Sequence, residues 1–219
     1  MKLKAILFDM DGVLVDSEPR HGATCEAISR MISHGRLGAK ETHTIGTSTV
    51  DMYAHALEMA GETGDTQKLS RMHFEMTLER VLTELPEPDA ELVKLLDQLR
   101  DSGLLIAVVS TSPKYFAEPI MQKYGFTERF ATFVSGDDVT KIKPDPQPYL
   151  IALDRLGLSA DEAVAVEDSR VGSLAAKNAH LRCIGYVNPG SGDQDLSATD
   201  VLAHTYAELG ERIRAYAAE

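Results

Sequence analysis

The sequence predicts an α/β protein in which helices cover both faces of a parallel β-sheet and an all-helical segment is inserted after the first strand. Two observations predict this class. Short apolar runs alternate with amphipathic helical patterns in the C-terminal part of the chain, which is typical of strands buried on both faces of a sheet. Residues 17–85, by contrast, carry helical patterns throughout.

The first strand is predicted at Ala5-Ile6-Leu7-Phe8, a run too short for an amphipathic helix. Further strands are predicted at residues 104–109, 131–134, 163–166 and 182–187. Helices are predicted at residues 90–100, 113–125, 143–156, 168–179 and 206–218. The stretch 188–200 is rich in Gly, Ser and Asp and is predicted to be a surface loop.

Three helices are predicted in the inserted segment, at residues 17–33, 49–60 and 65–85, with Ser17 as the first N-cap and a polar loop over residues 40–48. The third helix is expected to bury Phe74, Leu78, Val81, Leu82 and Leu85. Pro86 and Pro88 mark a domain boundary. We therefore predict a core domain of residues 1–16 and 87–219, and a helical lid of residues 17–86 with hinges at 13–17 and 86–89.

Composition narrows the possible functions. Asp and Glu number 34 against 22 Lys and Arg, a formal net charge of -12 that argues against a nucleic-acid or anionic-membrane surface. Cys25 and Cys183 offer neither a disulfide framework nor a zinc spacing. With no signal sequence or membrane span recognised, we expect a cytoplasmic protein, either a monomer or a weak dimer.

Polar side chains follow the predicted strands where the strands end. They are Asp9 and Asp11 after the first strand, Ser110 and Thr111 after the second, and Glu167 and Asp168 after the fourth, with Lys143 at a helix start. In parallel sheets, binding sites lie beyond the carboxyl ends of the strands. We therefore expect these residues to converge.

Converging carboxylates from Asp9, Asp11 and Asp168 favour a hard octahedral cation, and we expect Mg²⁺. With Lys143 as a fixed cation and Ser110 as a hydrogen-bond donor, a phosphate ester is the natural substrate. One aspartate would attack phosphorus, and the other would protonate the leaving alkoxide and later deprotonate water.

Each signal alone has a structural explanation. The two aspartates could form a polar turn, the serines could cap a helix, Lys143 could be a solvated surface lysine, and Glu167 and Asp168 could be acids at a helix start. Their common placement at one edge of the sheet favours the functional interpretation.

Four motifs resemble those of the haloacid dehalogenase superfamily, in the branch that contains β-phosphoglucomutase, phosphoglycolate phosphatase and other small-molecule phosphatases. They are FDMDGVLVDSE, VVSTSPK, KPDP and VEDSRVG. The resemblance covers nearly the whole chain and implies a Rossmann-like core with a small helical cap. It also implies that Asp9 is the nucleophile and Asp11 the general acid/base.

The same resemblance implies that Ser110 and Lys143 hold the phosphate. Mg²⁺ would be bound by Asp9, the backbone carbonyl of Asp11 and Asp168, with Glu167 acting nearby or through water. The presence of Asp11 argues against a dehalogenase, because that chemistry in the family dispenses with the second aspartate.

The cap separates the remaining alternatives. His21, Gly46, Thr47 and Ser48 are the candidate cap residues for substrate, and His21 resembles a histidine that couples the mutase cap to its acid/base. The loop around Gly46 lacks the arginine with which the mutase holds a second phosphate; Arg71, His73 or Arg80 could replace it, but a solvated helix face is the simpler interpretation. We predict hydrolysis of a small sugar, polyol or glycolate phosphate. The alternatives are a mutase and a metal-binding regulatory module without turnover.

Overall fold

The computed structural model describes residues 2–43, 47–85 and 87–218. The strands are β1 (Ala5–Phe8), β2 (Leu105–Val109), β3 (Thr132–Val134), β4 (Ala163–Glu167), β5 (Arg182–Tyr186) and β6 (Val201–Ala203). They form one sheet in the order β3-β2-β1-β4-β5-β6, with all neighbouring pairs parallel. The predicted α/β class and its parallel sheet are confirmed. The sixth strand, β6, was not predicted, because three residues after a polar loop carry no clear strand pattern.

The chain divides into two compact units, Met1–Asp16 with Glu87–Glu219, and Ser17–Pro86. The second unit contains α1 (Glu18–Ile32), α2 (Ala39–Thr42), α3 (Thr49–Ala60) and α4 (Thr66–Glu84). The first contains the sheet with α5 (Ala90–Asp101), α6 (Lys114–Lys123), α7 (Gln147–Leu156), α8 (Arg170–Asn178) and α9 (Tyr206–Ala217). The helical region before β2 is consistent with a cap inserted after β1.

The strand β1 lies at the centre of the sheet, between β2 and β4, and all four of its residues are fully buried. Successive side chains of a strand point to opposite faces. Ala5 and Leu7 accordingly share one core cluster with Tyr149 and Leu153 of α7 and Ala175 of α8. Burial of each large apolar side chain stabilises the fold by about 2 kcal/mol, so the end of β1 is held on a rigid support.

The helical unit departs from the sequence predictions in local detail. Ser17 precedes α1 but makes no side-chain cap hydrogen bond, and the short helix α2 occupies part of the predicted loop. The buried residues of α4 are Leu69, Ser70, His73, Thr77 and Val81. Of the five residues expected in this core, Val81 is buried, whereas Phe74, Leu78, Leu82 and Leu85 are only partly buried.

The difference in α4 arises in part because two polar side chains of its buried face have partners on other helices. Ser70 shares a hydrogen bond with Thr49, and His73 is hydrogen-bonded on both ring nitrogens. A buried polar group that is hydrogen-bonded avoids the desolvation cost that would otherwise exclude it from a core. In the part of the chain that the structure describes, no helix combines the length and apolarity needed to cross a membrane.

Candidate active site

Three strands of the sheet bring the sequence-predicted polar residues to one edge. Asp9 follows β1, Ser110 follows β2, and Glu167 ends β4. The register pairs Phe8 with Val166, so Asp9 and Glu167 stand on adjacent strands at the same level. The backbone N–H of Asp9 donates to the carbonyl of Val166 at 2.9 Å. The site therefore lies beyond the carboxyl ends of the strands, as expected for an open parallel sheet.

Lys143 joins the first and fourth strands of this arrangement. Its Nζ lies 2.6 Å from Oδ1 of Asp9 and 2.6 Å from Oε1 of Glu167, and it donates to the carbonyl of Val109 at 2.8 Å. The lysine is only 6% exposed and Glu167 is fully buried. All three N–H donors of the ammonium are thus used inside the protein, which excludes the alternative of a solvated surface lysine.

The electrostatics of the site favour a further positive charge. Burial raises the pKa of Asp9 well above its ordinary value; the ammonium of Lys143 opposes this rise, and the carboxylates of Glu167, Asp168 and Asp11 add to it. Burial alone would lower the pKa of Lys143, but Asp9 and Glu167 more than offset this and raise it. A cation beside these carboxylates would lower the pKa of Asp9 and favour its ionised form.

Asp9, Glu167 and Asp168 form a cluster that fits a metal ion. One carboxylate oxygen of each lies within 4.8 Å of the others, and all three residues are buried. Oε2 of Glu167 is buried and has no hydrogen-bond partner among the described residues. A buried carboxylate oxygen without a hydrogen-bond partner destabilises the fold through its desolvation unless a cation binds to it. This donor set suits a hard oxygen-binding cation.

Two glycines allow the carboxylates of this cluster to approach the backbone. A Cβ on Gly12, whose φ is +79°, would lie 1.8 Å from Oδ2 of Asp168. A Cβ on Gly172 of α8 would lie 1.9 Å from Oε2 of Glu167. Both distances are far below van der Waals contact, so any side chain at either position would displace a carboxylate of the cluster.

Asp11 and the residues after β2 form the other side of the site. The carboxylate of Asp11 accepts a hydrogen bond from Oγ of Ser112 at 2.7 Å. Oγ of Ser110, a buried residue, accepts from the backbone N–H of Ser112 at 3.0 Å. Thr111 lies between these serines and is exposed. The predicted residues of the core are therefore brought together, and Ser112 joins them.

Two further contacts to the acidic cluster were not predicted. The hydroxyl of Tyr149 donates to Oε1 of Glu167, and Oγ of Ser191 donates to Oδ2 of Asp168. Tyr149 sits inside α7 where its apolar ring alone explains its burial, and Ser191 lies in a predicted surface loop. Neither position carries a local sequence signal of its contact.

The candidate residues of the helical unit differ in burial and in their contacts. His21 is buried, and its Nδ1 lies 2.8 Å from Nε2 of His73. Ser48 accepts from the backbone N–H of Asp51 and caps α3, whereas Thr47 is exposed. Gly46 lies outside the described residues.

His73 corrects one expectation directly. A solvated helix face was the simpler interpretation of Arg71, His73 and Arg80, and for His73 it is wrong, because this residue is 1% exposed. Its Nδ1 shares a hydrogen bond of 2.8 Å with the hydroxyl of Tyr53. Arg71 and Arg80 form ion pairs with glutamates one turn further along the same helix.

The fold and the site define an α/β protein whose parallel sheet carries a buried acidic centre at the carboxyl ends of its strands. The chain belongs to the haloacid dehalogenase-like hydrolase family, whose model matches residues 3–180. This confirms the resemblance of the four motifs.

Curated relatives cover nearly the whole chain. It is 30% identical over 211 residues to the N-acetylmuramic acid 6-phosphate phosphatase of Pseudomonas aeruginosa, covering 93% of this chain and 92% of that protein. It is 31% identical over 220 residues to the phosphoglycolate phosphatase of Yersinia pestis, covering 94% and 91%. A solved structure of a CbbY variant from Rhodobacter sphaeroides in complex with xylulose-1,5-bisphosphate is 26% identical, with a TM-score of 0.80 and coverage of 95% and 96%. By family and relatives, this chain is a phosphatase, a phosphoric monoester hydrolase.

Proposed function

We propose that the protein hydrolyses a small phosphorylated metabolite through an aspartyl-phosphate on Asp9, with Mg²⁺ as the cofactor. The observation that carries this proposal is the contact of Lys143 with Asp9 and Glu167 beside the cluster completed by Asp168. A buried ammonium among carboxylates can hold an anionic phosphoryl group close to a carboxylate that would otherwise repel it.

In the first step, a carboxylate oxygen of Asp9 attacks phosphorus and the bond from phosphorus to the ester oxygen breaks. Asp11 donates a proton to that leaving oxygen. In the second step, water attacks the aspartyl-phosphate, Asp11 accepts a proton from the water, and inorganic phosphate leaves with Asp9 restored. The contact of Asp11 with Ser112 supports this division of roles, because it holds Asp11 beside the site without involving the Lys143 group.

Lys143, Ser110 and backbone N–H groups near Thr111 hold the phosphoryl oxygens in this proposal. Asp9, Asp168 and the backbone carbonyl of Asp11 would hold Mg²⁺, with Glu167 acting nearby or through water. The ion would supply positive charge that offsets the charge on the phosphoryl oxygens. The unpartnered Oε2 of Glu167 supports a cation at this position.

The substrate class rests on the relatives, which act on N-acetylmuramic acid 6-phosphate and phosphoglycolate. We infer a small sugar, polyol or glycolate phosphate, with residues 17–86 as the cap that determines which ester is accepted. A mutase must hold a second phosphate. Two curated relatives that cover nearly the whole chain are phosphatases, which supports hydrolysis over transfer.

The test compares wild-type protein with Asp9→Asn and Asp11→Asn in a Mg²⁺-dependent assay of phosphate release from an aryl phosphate and a panel of phosphorylated metabolites. Asp9→Asn should show neither turnover nor a hydroxylamine-sensitive phosphoenzyme. Asp11→Asn should lose roughly 10²–10⁴-fold in turnover. Asp161→Asn, at an exposed position, is the matched control and should retain activity.

Turnover by Asp9→Asn would mean that another residue is the nucleophile. With β-glucose 1-phosphate, free phosphate supports the hydrolase, whereas glucose 6-phosphate would establish the mutase.

A further inference from the structure

The segment after β5 makes contacts with the candidate site that neither the motifs nor the proposed chemistry uses. Residues Pro189–Ser191 form a single 3-10 turn, with Asn188 as its N-cap. The turn lies at the catalytic edge of the sheet and is separated in sequence from all four motifs. Ser191, its last residue, is 1% exposed.

Asn188 fastens this turn to the loop that follows β1. Its Nδ2 donates to the carbonyl of Gly12 at 2.9 Å and to Oδ1 of Asp16 at 3.2 Å, and its Oδ1 accepts from the backbone N–H of Gly190 at 2.8 Å. One amide thus closes the turn on itself and joins it to both ends of the Gly12–Asp16 loop. The absence of a side chain at Gly190 permits this approach, because a Cβ there would lie 2.2 Å from Oδ1 of Asp16.

Ser191 completes the connection to the acidic cluster. Its backbone N–H donates to the carbonyl of Asn188 at 3.1 Å, and its hydroxyl donates to Oδ2 of Asp168. The same Oδ2 lies against the backbone of Gly12. The carboxylate of Asp168 is therefore held between the loop after β1 and the turn after β5.

We propose that Asn188 and Ser191 are positioning residues of the metal site: Asn188 fixes the turn, and Ser191 holds Asp168 in the orientation in which it binds the ion. This inference rests on the proposed function, in which Asp168 is a ligand. Partners that orient a ligating carboxylate change metal affinity by about 10–100-fold when they are removed.

The test measures the dissociation constant of Mg²⁺ by titration calorimetry on metal-free protein, together with the Mg²⁺ concentration that half-activates phosphate release. Ser191→Ala should raise both by about 10-fold or more and leave turnover at saturating Mg²⁺ within about 2-fold of wild type. Asn188→Asp should act in the same direction, because it removes both Nδ2 donations while keeping the acceptor for Gly190. The double variant should raise the Mg²⁺ dissociation constant by less than the product of the two single-variant factors, since both residues act through one turn.

Ser197→Ala is the matched control, because it removes an exposed hydroxyl from the same segment. Thermal unfolding without metal checks that each variant is folded. If Ser191→Ala fails to fold, Ser191→Cys preserves the side-chain volume with only a weak donor and should still weaken Mg²⁺ binding.

The outcomes separate this inference from the proposed function. If Asp168→Asn abolishes Mg²⁺ binding while Ser191→Ala binds as wild type does, the positioning role is wrong and the metal site stands. If Asp168→Asn binds Mg²⁺ normally, or the wild type does not bind it, the proposed metal site fails and the positioning role fails with it.

Discussion

The imidazoles of His21 and His73 are hydrogen-bonded inside the helical unit, with Nδ1 of His21 and Nε2 of His73 separated by 2.8 Å. The other ring nitrogen of His73 is bonded to the hydroxyl of Tyr53 at 2.8 Å. A neutral imidazole donates through one nitrogen and accepts through the other. His73 therefore needs to be neutral to accept from one of its two partners.

This arrangement predicts that acid destabilises the helical unit. Burial, with the nearby His21 and His43, lowers the pKa of His73 to about 2. As pH falls below the ordinary histidine value of about 6.5, the unfolded chain takes up a proton and the folded one does not, so stability is lost between about pH 6.5 and 2, at up to about 1.4 kcal/mol per pH unit.

The measurement is the urea unfolding free energy of wild type and His73→Gln between pH 7 and 4. The variant should be less stable at pH 7, and its unfolding free energy should fall less steeply than that of the wild type between pH 7 and pH 4. His55→Gln, at an exposed position of α3, is the control and should keep the wild-type slope. Equal slopes in wild type and His73→Gln would contradict the prediction.

Lys143→Met should impair both activity and stability. Without the ammonium, Asp9 and Glu167 lose their shared partner while remaining buried, which costs about 3–5 kcal/mol when one member of a buried ion pair is removed. Loss of a fixed charge on the reacting group should lower turnover by at least about 10²-fold.

The control for this change is Lys141→Met. Lys141 is two residues away in the chain, but its side chain is 72% exposed and pairs only with Asp145 among the described residues. Phosphate release and the thermal midpoint are measured for both variants. A Lys143→Met enzyme with near wild-type turnover would remove this residue from the site.

Paired glycine substitutions test whether the cluster needs the close approach to the backbone. Gly172→Ala places a methyl group 1.9 Å from Oε2 of Glu167. We therefore expect the free energy of unfolding to fall by about 1–3 kcal/mol and the Mg²⁺-dependent activity to weaken. For Gly22→Ala, also inside a helix, no described atom beyond the adjoining residues and the backbone of that helix lies within 4 Å of the new Cβ. The Gly22→Ala variant should gain about 0.5–1 kcal/mol in the free energy of unfolding and retain full activity. Thermal midpoints and initial rates that did not differ between the two variants would disprove the steric account.

The centre of the sheet could be predicted from sequence because β1 and β2 are short, wholly apolar runs and β4 is apolar up to its last residue. Ala5–Phe8 and, after Leu105, the remaining residues of Leu105–Val109 are buried in a parallel pair, and the polar residues that follow these strands meet at one edge. The prediction of convergence succeeded because parallel topology alone brings the carboxyl ends of the strands together.

The remaining contacts depend on distant partners that no local pattern reveals. His73 is polar and was assigned to solvent, yet hydrogen bonds to His21 and Tyr53 compensate its burial. Ser191 lies in a loop whose composition indicates only a surface turn, although its hydroxyl reaches Asp168. Hydrogen bonds of this kind join residues that are distant in sequence, so they can be identified only from the folded structure.

The central position of β1 also bears on how the protein is made. Ala5 pairs with Leu105 on one side and with Ala163 on the other. During synthesis β1 therefore precedes its two partner strands by roughly 100 and 160 residues, a non-local topology that slows folding. Nascent chains that stop before β4 hold Asp9 without Glu167 and Asp168. In a cell-free translation reaction, we therefore expect phosphate release only from chains extended beyond β4.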